Sequence, residues 1–283
     1  MSLAARHGGP SGLRQFGGLY AEAFRLIRGS AGLRRSLSVW LGIGLVSVEA
    51  YSLLVANLHD RGTMPLIGLG AVAWWGAVAM IVVGGTPLLI TPDGRRIHHY
   101  GVPNGLTALR AWASYPLLLC ATLSMPHHLG FILWCTVGFA SGMLDYVDGV
   151  IARRIGPITA LGKAMDPASD SLFFMMAAIG NVFLGILPLW LAGLILVRFA
   201  GPLLATPIVF LLRRRPELTH TRWGRWNTGA TGCVIFILMW VRIFNGPVDP
   251  VAVILAVPTL VPSTIAHFHQ LWVRARQAPV LSE

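Results

Sequence analysis

Four carboxylates carry most of the chemistry this sequence offers. Asp145, Asp148, Asp166 and Asp170 fall within the stretch DYVDGVIARRIGPITALGKAMDPASD, although the 283-residue chain holds only 11 acidic residues. Asp145, Asp148, Gly149 and Ala152 are spaced to share one face of a helix, and Gly162, Asp166 and Asp170 to share one face of the next. Gly156 and Pro157 mark the turn between them. An antiparallel helix pair joined there would bring the two acidic faces together, about one to three turns below the surface where the helices join. Gly138 and Gly142 extend the first face with small residues, a spacing that lets another backbone approach closely.

Such a cluster is costly in an apolar setting. One Asp at the middle of a span costs on the order of 3 kcal/mol. Four uncompensated ones would cost about 10 kcal/mol, comparable with the whole stability of a domain. Arg153 and Lys163 can each neutralise one acid. Divalent cations explain the convergence better. Mg²⁺ or Mn²⁺ takes oxygen ligands and is shared between carboxylates and substrate phosphates. Two such ions about 4 Å apart can clamp the attacking and leaving oxygens of a phosphoryl displacement. The bland alternative is a set of solvated helix-end acids paired with Arg153, Arg154 and Lys163.

The elements that must position these acids are membrane helices. Charged residues make up 12% of the chain, half of the roughly 25% usual in soluble domains, and mean hydropathy is +0.66. Long apolar stretches recur at 38–57, 65–90, 103–123, 129–151, 159–186, 188–212, 226–244 and 250–272. The expected fold is an all-α integral membrane protein of about eight transmembrane helices. Arginines and lysines crowd alternate loops: Arg6 to Arg35, Arg95–Arg96, Arg153 to Lys163, Arg213 to Arg225, and Arg274 with Arg276. The opposite loops hold only Arg61, which places both termini in the cytoplasm. The net charge of +11 is therefore a loop bias with attraction to anionic lipid, and nucleic acid is not an expected partner.

Residues 1–37 read as a cytoplasmic segment with an amphipathic helix lying in the headgroup layer, with Phe16, Leu19, Tyr20, Ala23 and Ile27 at helical spacing. An Arg-rich, acid-poor mitochondrial targeting segment would look similar. The expected organisation continues with a two-helix extension at 38–90, a Gly/Pro-rich loop at 91–102, a six-helix domain at 103–275 and a tail at 276–283. Cys120, Cys135 and Cys233 lie in apolar spans at no metal-ligand spacing, and imply no disulfide framework. Trp40, Trp190, Trp223 and Trp272 fit an interfacial aromatic belt. His98–His99, His127–His128, His267 and His269 sit at loops or span ends, with no zinc role expected.

The pattern D-x2-D-G-x2-A-R-x8-G-x3-D-x3-D, formed by Asp145, Asp148, Gly149, Ala152, Arg153, Gly162, Asp166 and Asp170, resembles the complete motif of the CDP-alcohol phosphatidyltransferases. Eight fixed positions in 26 residues make the resemblance specific, and it extends over residues 103 to about 275 as a six-helix core. It implies transfer of a phosphatidyl group from CDP-diacylglycerol to an alcohol, with release of CMP and dependence on two divalent cations, Mg²⁺ or Mn²⁺. It further implies that Asp145, Asp148 and Asp166 are metal ligands, and that Asp170 contacts the metal and is the general base for the acceptor hydroxyl. Gly149, Ala152 and Gly162 would make room for the nucleotide, with Arg153 near its phosphates. A homodimer in the bacterial cytoplasmic membrane is implied as well, with the mitochondrial inner membrane as the alternative.

Supporting motifs bear on the substrates. Asn104, Thr107 and Arg110 open the third span within a stretch similar to the family's P-N-x-L-T-x-x-R. Asn104 and Thr107 are candidate nucleotide-lining residues, against the plain reading of a helix start with Pro103 in its first turn. Arg110 is grouped with Arg198, Arg213 and Arg225 as candidates for binding an anionic acceptor. Arg198 lies deep in the sixth span and reads either as an acceptor ligand or as the partner of a core Asp. Relatives using glycerol-phosphate acceptors often carry an acid after that arginine, where this chain has Phe199. Gly224, Arg225 and Thr228 resemble the G-K-x-x-T of the same relatives; a positive-inside loop would explain the arginines equally. An aromatic after the first Asp, here Tyr146, also occurs in the glycerol-phosphate and cardiolipin-forming relatives, so the resemblance implies glycerol 3-phosphate or phosphatidylglycerol as acceptor, with inositol phosphate or another polar alcohol behind. A divalent-metal transporter is the competing class. Leu172 to Met176 directly follow Asp170 and are apolar, which favours a one-sided site over a through-route. A catalytically silent scaffold is a third reading, opposed by intact Asp170 and Arg153.

Overall fold

The structure, a computed structural model, describes residues 12–154, 158–211 and 222–277. Among the described residues the chain is all-α: α1 Gly12–Gly29, α2 Ala31–His59, α3 Met64–Gly84, α4 Val102–Thr122, α5 Leu129–Arg154, α6 Ala160–Phe183, α7 Leu189–Leu211, α8 Arg222–Ile243 and α9 Val248–Gln277. Helices α2 to α9 fall on the eight apolar stretches in order. Four stretches, at 31–59, 61–84, 226–243 and 248–274, are long and apolar enough by themselves to cross a membrane. Large apolar side chains point outward on several helices, with Leu66 74%, Phe139 66%, Val197 60% and Ile254 69% exposed. An apolar girdle of this kind fits lipid contact and not water. The protein is an all-α membrane protein.

Local chemistry sets the helix ends. Ser30 caps α2 by accepting from the Leu33 amide, so this helix starts seven residues before its apolar stretch. Helix α3 stops at Gly84, where Gly85 and Pro87 interrupt the pattern. Helix α6 ends in a Schellman turn: Gly185, at φ +68°, donates to Val182 and Ile186 donates to Asn181. Asn245, at φ +52°, serves the same purpose after α8, with Gly246 donating to the Val241 carbonyl.

The N-terminal helices are built into the body of the protein. Helix α1 lies against the end of α3, where the Tyr20 hydroxyl donates to the Met80 carbonyl and Glu22 is 3.7 Å from Arg96. One apolar cluster joins Leu37 and Val48 of α2, Ala71 and Val82 of α3, Ala108 and Trp112 of α4, and Leu161 and Met165 of α6. Indole hydrogen bonds stitch α2, α3 and α4 together. Trp75 donates to Leu41, Trp74 to Ala111 and Trp112 to Trp75. A second cluster gathers Leu117, Trp134, Ala178, Ile195, Leu238 and Ala256 from the later helices.

The α2–α4 seam depends on two glycines. A Cβ on Gly44 would run into the Trp112 ring, and one on Gly105 into the Trp40 indole. Trp40 is thus half-buried in this seam, whereas Trp190, Trp223 and Trp272 are exposed as an aromatic belt requires. Among the described residues a Cβ on Gly138 or Gly142 meets nothing within 4 Å, so no described helix lies close against that stretch of α5.

Replacing Gly44 with Leu should force α2 away from α4 and cost about 1–3 kcal/mol through overpacking. The expected readout is a lower thermal unfolding midpoint in detergent. Gly42→Leu, at a position with open space around it, should leave the midpoint nearly unchanged.

Candidate active site

Helices α4 and α6 run parallel and meet in three successive rungs. In the first, Thr159 caps α6, accepting from the Gly162 amide at 3.1 Å and donating to Asn104 Oδ1 at 3.3 Å. The Asn104 amide nitrogen donates to the Tyr100 carbonyl at 2.6 Å, so Asn104 fastens the end of the 91–101 loop to the start of α6. In the second rung the Thr107 hydroxyl donates to Pro103 at 3.1 Å and lies 3.5 Å from Asp166 Oδ1. In the third, Arg110 Nη2 donates to Asp170 Oδ1 at 3.1 Å. The α4 residues advance by three and the α6 residues by four, the ridge-into-groove match that gives shallow crossings of about 20°.

This ladder explains Gly162 in a second way. A Cβ there would stand 3.1 Å from Asn104 Oδ1, so a larger residue would press on the first rung. Tyr100 backs the same rung: its buried hydroxyl donates to Met165 Sδ at 3.3 Å. The Ala160 amide donates to Ile90, tying the other end of the loop to α6. Thr159 was not among the residues expected at the site. Its signal was present as a Thr three residues before Gly162, a helix-capping spacing.

Helix α5 brings the other two acids to matching depths. At the far end the Trp134 indole donates to Asn181 Oδ1 at 2.9 Å, and Gly180 sits under the same ring, so α5 and α6 are antiparallel. Counting from that contact, Asp145 is 11 residues along α5 and Asp170 is 11 residues back along α6. Both therefore lie about 16 Å from it. Asp148 and Asp166 correspond in the same way, at 14 and 15 residues. The backbones thus carry the four acids at two levels. The side chains of Asp145, Asp148, Gly149, Ala152 and Arg153 lie outside the described residues, as do those of Arg213 and Arg225.

Burial differs along the ladder. Asn104, Thr107 and the Arg110 side chain are buried, the last only 4% exposed. Asp170 is 21% exposed and Asp166 is open. Pro167, between the two acids, has no amide hydrogen for the Lys163 carbonyl one turn earlier. Among the described residues no three His, Cys, Asp or Glu side chains converge. The donor set still suits a hard divalent cation, because carboxylate oxygens on facing helices are the ligands Mg²⁺ and Mn²⁺ take. Asp166 and Asp170, with Asp145 and Asp148 at their levels, are the residues that would hold it.

Arg198 sits apart from the acids. It is buried, donates to the Gly224 carbonyl at 3.3 Å, and lies 4.9 Å over the Phe199 ring. The arginine seen pairing with a core Asp is Arg110. Nearby, Asn227 of α8 donates to Ser263 at 2.6 Å and to Thr264 at 3.2 Å, fixing α8 to α9. This polar contact, which was not expected, shows in the sequence only as scattered hydroxyls within apolar helices.

A sequence model described as CDP-alcohol phosphatidyltransferase matches residues 100–262. The cardiolipin synthase (CMP-forming) of Streptomyces coelicolor is 38% identical over 117 residues, 40% of this chain and 52% of that protein. A probable phosphatidylglycerophosphate synthase of Mycobacterium tuberculosis is 29% identical over 163 residues, 57% of this chain and 76% of that one. A probable cardiolipin synthase (CMP-forming) of Drosophila melanogaster is 31% identical over 123 residues, 43% of this chain and 37% of that one. The chain thus spans about half the length of the first of these relatives. No solved structure matches it. With more than half of its length covered by the family match and the acid-bearing helices inside that span, this chain belongs to the CDP-alcohol phosphatidyltransferase family.

Proposed function

We propose that this protein transfers the phosphatidyl group of CDP-diacylglycerol to a glycerol-based alcohol, glycerol 3-phosphate or phosphatidylglycerol, releasing CMP. The observation that carries the reading is the matched depth of Asp145 with Asp170 and of Asp148 with Asp166, in a chain of this family. Residues 103–275 would form the catalytic six-helix domain and 38–90 an extension. The site and both termini would face the cytoplasm, in a bacterial cytoplasmic membrane. A homodimer belongs to the same reading.

In this reaction Asp170 accepts the proton of the acceptor hydroxyl as its oxygen attacks the phosphatidyl phosphorus. Arg110 orients that carboxylate, fixing Oδ1 from the α4 side. Thr107 and Asn104 keep α4 and α6 in register alongside Asp166 and Gly162. By the family resemblance, Gly149, Ala152 and Gly162 would leave room for the nucleotide, with Arg153 near its phosphates. Arg198, with Arg213 and Arg225, would meet an anionic acceptor. Asp145, Asp148, Asp166 and Asp170 would hold Mg²⁺ or Mn²⁺, which when bound would supply charge neutralisation at the departing phosphate.

The transporter reading fares worse. One turn beyond Asp170, Phe174 stacks on Phe199 of α7 at 4.5 Å, and Phe173 meets Phe174 edge-on at 5.4 Å. This aromatic layer gives an ion no ligands on the far side of the acids.

Purified protein supplied with CDP-diacylglycerol, Mg²⁺ or Mn²⁺ and a panel of alcohols should release CMP and form lipid from one glycerol-based acceptor. A chelator should stop the release. Metal flux into vesicles without CMP would instead support transport. Asp170→Asn should lower turnover by about 10²–10⁴-fold while CMP still binds by calorimetry; unchanged turnover would remove Asp170 as the base. Arg110→Lys keeps the charge but not the planar fork. It should lower kcat about ten-fold with little change in KM for the donor, whereas a purely structural Arg110 would leave kcat intact in the folded fraction.

A further inference from the structure

A cleft between α2, α4 and α5 lies beside the acids and is not accounted for by the steps above. Its volume is about 270 Å³, and its walls are Val48 and Tyr51 from α2, Leu109 and Ala113 from α4, and Val137 and Ala140 from α5. The lining is almost wholly apolar. Pockets for whole small molecules run to about 300–1,000 Å³, so this one suits a single alkyl chain better than a headgroup or nucleotide. Val46, Phe139 and Met143, next to the lining positions on α2 and α5, are 67%, 66% and 49% exposed. The cleft therefore borders the lipid-facing surface.

Its two ends differ in chemistry. Along α4 it runs from Arg110 to Pro116, about 9 Å of helix. At the Arg110 end, the same guanidinium that lines the cleft donates to Asp170 at 3.1 Å. On α5 the lining stops at Ser141, one turn before Asp145. A chain lying in the cleft would bring its headgroup out at the deeper level of the acids, that of Asp145 and Asp170, beside the carboxylate that takes the acceptor's proton. The residues expected around the nucleotide, Gly149, Ala152 and Gly162, lie nearer the opposite end of the site, toward the α5–α6 turn.

We propose that this cleft holds an acyl chain of a lipid acceptor, a phospholipid with a free headgroup hydroxyl of the phosphatidylglycerol type. This rests on the phosphatidyl-transfer reading above and narrows its acceptor to a lipid. The headgroup oxygen forms the new bond to the phosphatidyl phosphorus of the donor, the bond from that phosphorus to the CMP oxygen breaks, CMP departs, and the hydroxyl proton passes to Asp170. The product carries two phosphatidyl groups on one glycerol. Helix α2 lies outside residues 100–262, which match the family, so the N-terminal extension would form one wall of the acceptor site.

Ala140→Phe and Ala113→Phe should fill the cleft from two different helices, Ala140 being exposed and well placed to tolerate the larger side chain. The protein in phosphatidylcholine vesicles would be assayed with dioleoyl-phosphatidylglycerol, dihexanoyl-phosphatidylglycerol and glycerol 3-phosphate, at saturating CDP-dioleoylglycerol. Both variants should raise KM for the dioleoyl acceptor at least ten-fold, while KM for the dihexanoyl acceptor and for the donor stays within two-fold. A rise in the donor's KM instead would place a donor chain in the cleft and overturn the proposal. So would unchanged KM values, or a wild-type protein that uses glycerol 3-phosphate and no lipid alcohol; in that last case transfer itself still stands. Absence of CMP release with every acceptor would count against transfer. The cleft is then decided by photolabelling with phosphatidylglycerol bearing a photoreactive acyl chain. Labelling at residues 47–51, competed by unlabelled phosphatidylglycerol, supports lipid occupancy, and labelling elsewhere overturns it.

Discussion

An arginine and a carboxylate facing each other inside an apolar helix bundle set the terms for the rest of this protein. The Arg110 side chain is 4% exposed and Asp170 21%, so neither charge has bulk water as its main partner. Breaking such a pair by removing one member strands the other, at a cost of about 3–5 kcal/mol. The pair is held only if α4 and α6 keep their register. That register is supplied by neutral contacts nearer the helix starts, through Thr159, Asn104 and Thr107, and by apolar packing of Ala108, Trp112, Leu161 and Met165 behind them. The charged rung is therefore the consequence of a well-fixed helix pair.

The extension contributes to that fixity. Helix α2 lays Gly44 under Trp112, and the Trp40 indole against Gly105, along one side of α4. Indole hydrogen bonds from Trp74, Trp75 and Trp112 all end on backbone carbonyls. Each couples a bulky ring to a set position on a neighbouring helix, so sliding α4 along its axis would break several at once. Two helices with no acid of the motif thus help hold the arginine opposite its carboxylate.

Helix placement was legible because it depends on runs of apolar residues, and α2 to α9 each fall where such a run occurs. The ends were less so. Helix α2 starts early because Ser30 can cap it, and α3 stops early because Gly85 and Pro87 follow. Periodicity also put Asn104, Thr107 and Arg110 on one face, and Asp166 with Asp170 on another. It could not say that these two faces meet, because the residues are about 60 apart in sequence and the helices between them do not encode their neighbours. Arg110 was accordingly read as an acceptor ligand, and pairing with a core Asp was considered for Arg198. The structure puts the ion pair on Arg110 and turns Arg198 to the Gly224 carbonyl. Gly138 and Gly142 show the converse limit. Small-residue spacing permits close approach but does not supply a helix to make it.

Charge balance links this construction to the proposed chemistry. Four carboxylates set against Arg110, and against Arg153 facing the site as the motif implies, leave two negative charges close to an apolar interior. Two divalent cations would overshoot to two positive charges. The diphosphate of a CDP-linked donor carries two negative charges and restores neutrality. An excess of either sign at this depth is penalised by desolvation, so cations and donor would each favour the other's binding. The acceptor is different. A phosphatidylglycerol-type acceptor brings one negative phosphodiester, less charge than glycerol 3-phosphate, and would be held chiefly by apolar contact, at about 0.8 kcal/mol for each buried methylene. A phosphate-bearing soluble acceptor would need further cations. Among the described residues Arg198, which donates to the Gly224 carbonyl, is a candidate, while the apolar cleft opens beside α2 and favours the lipid.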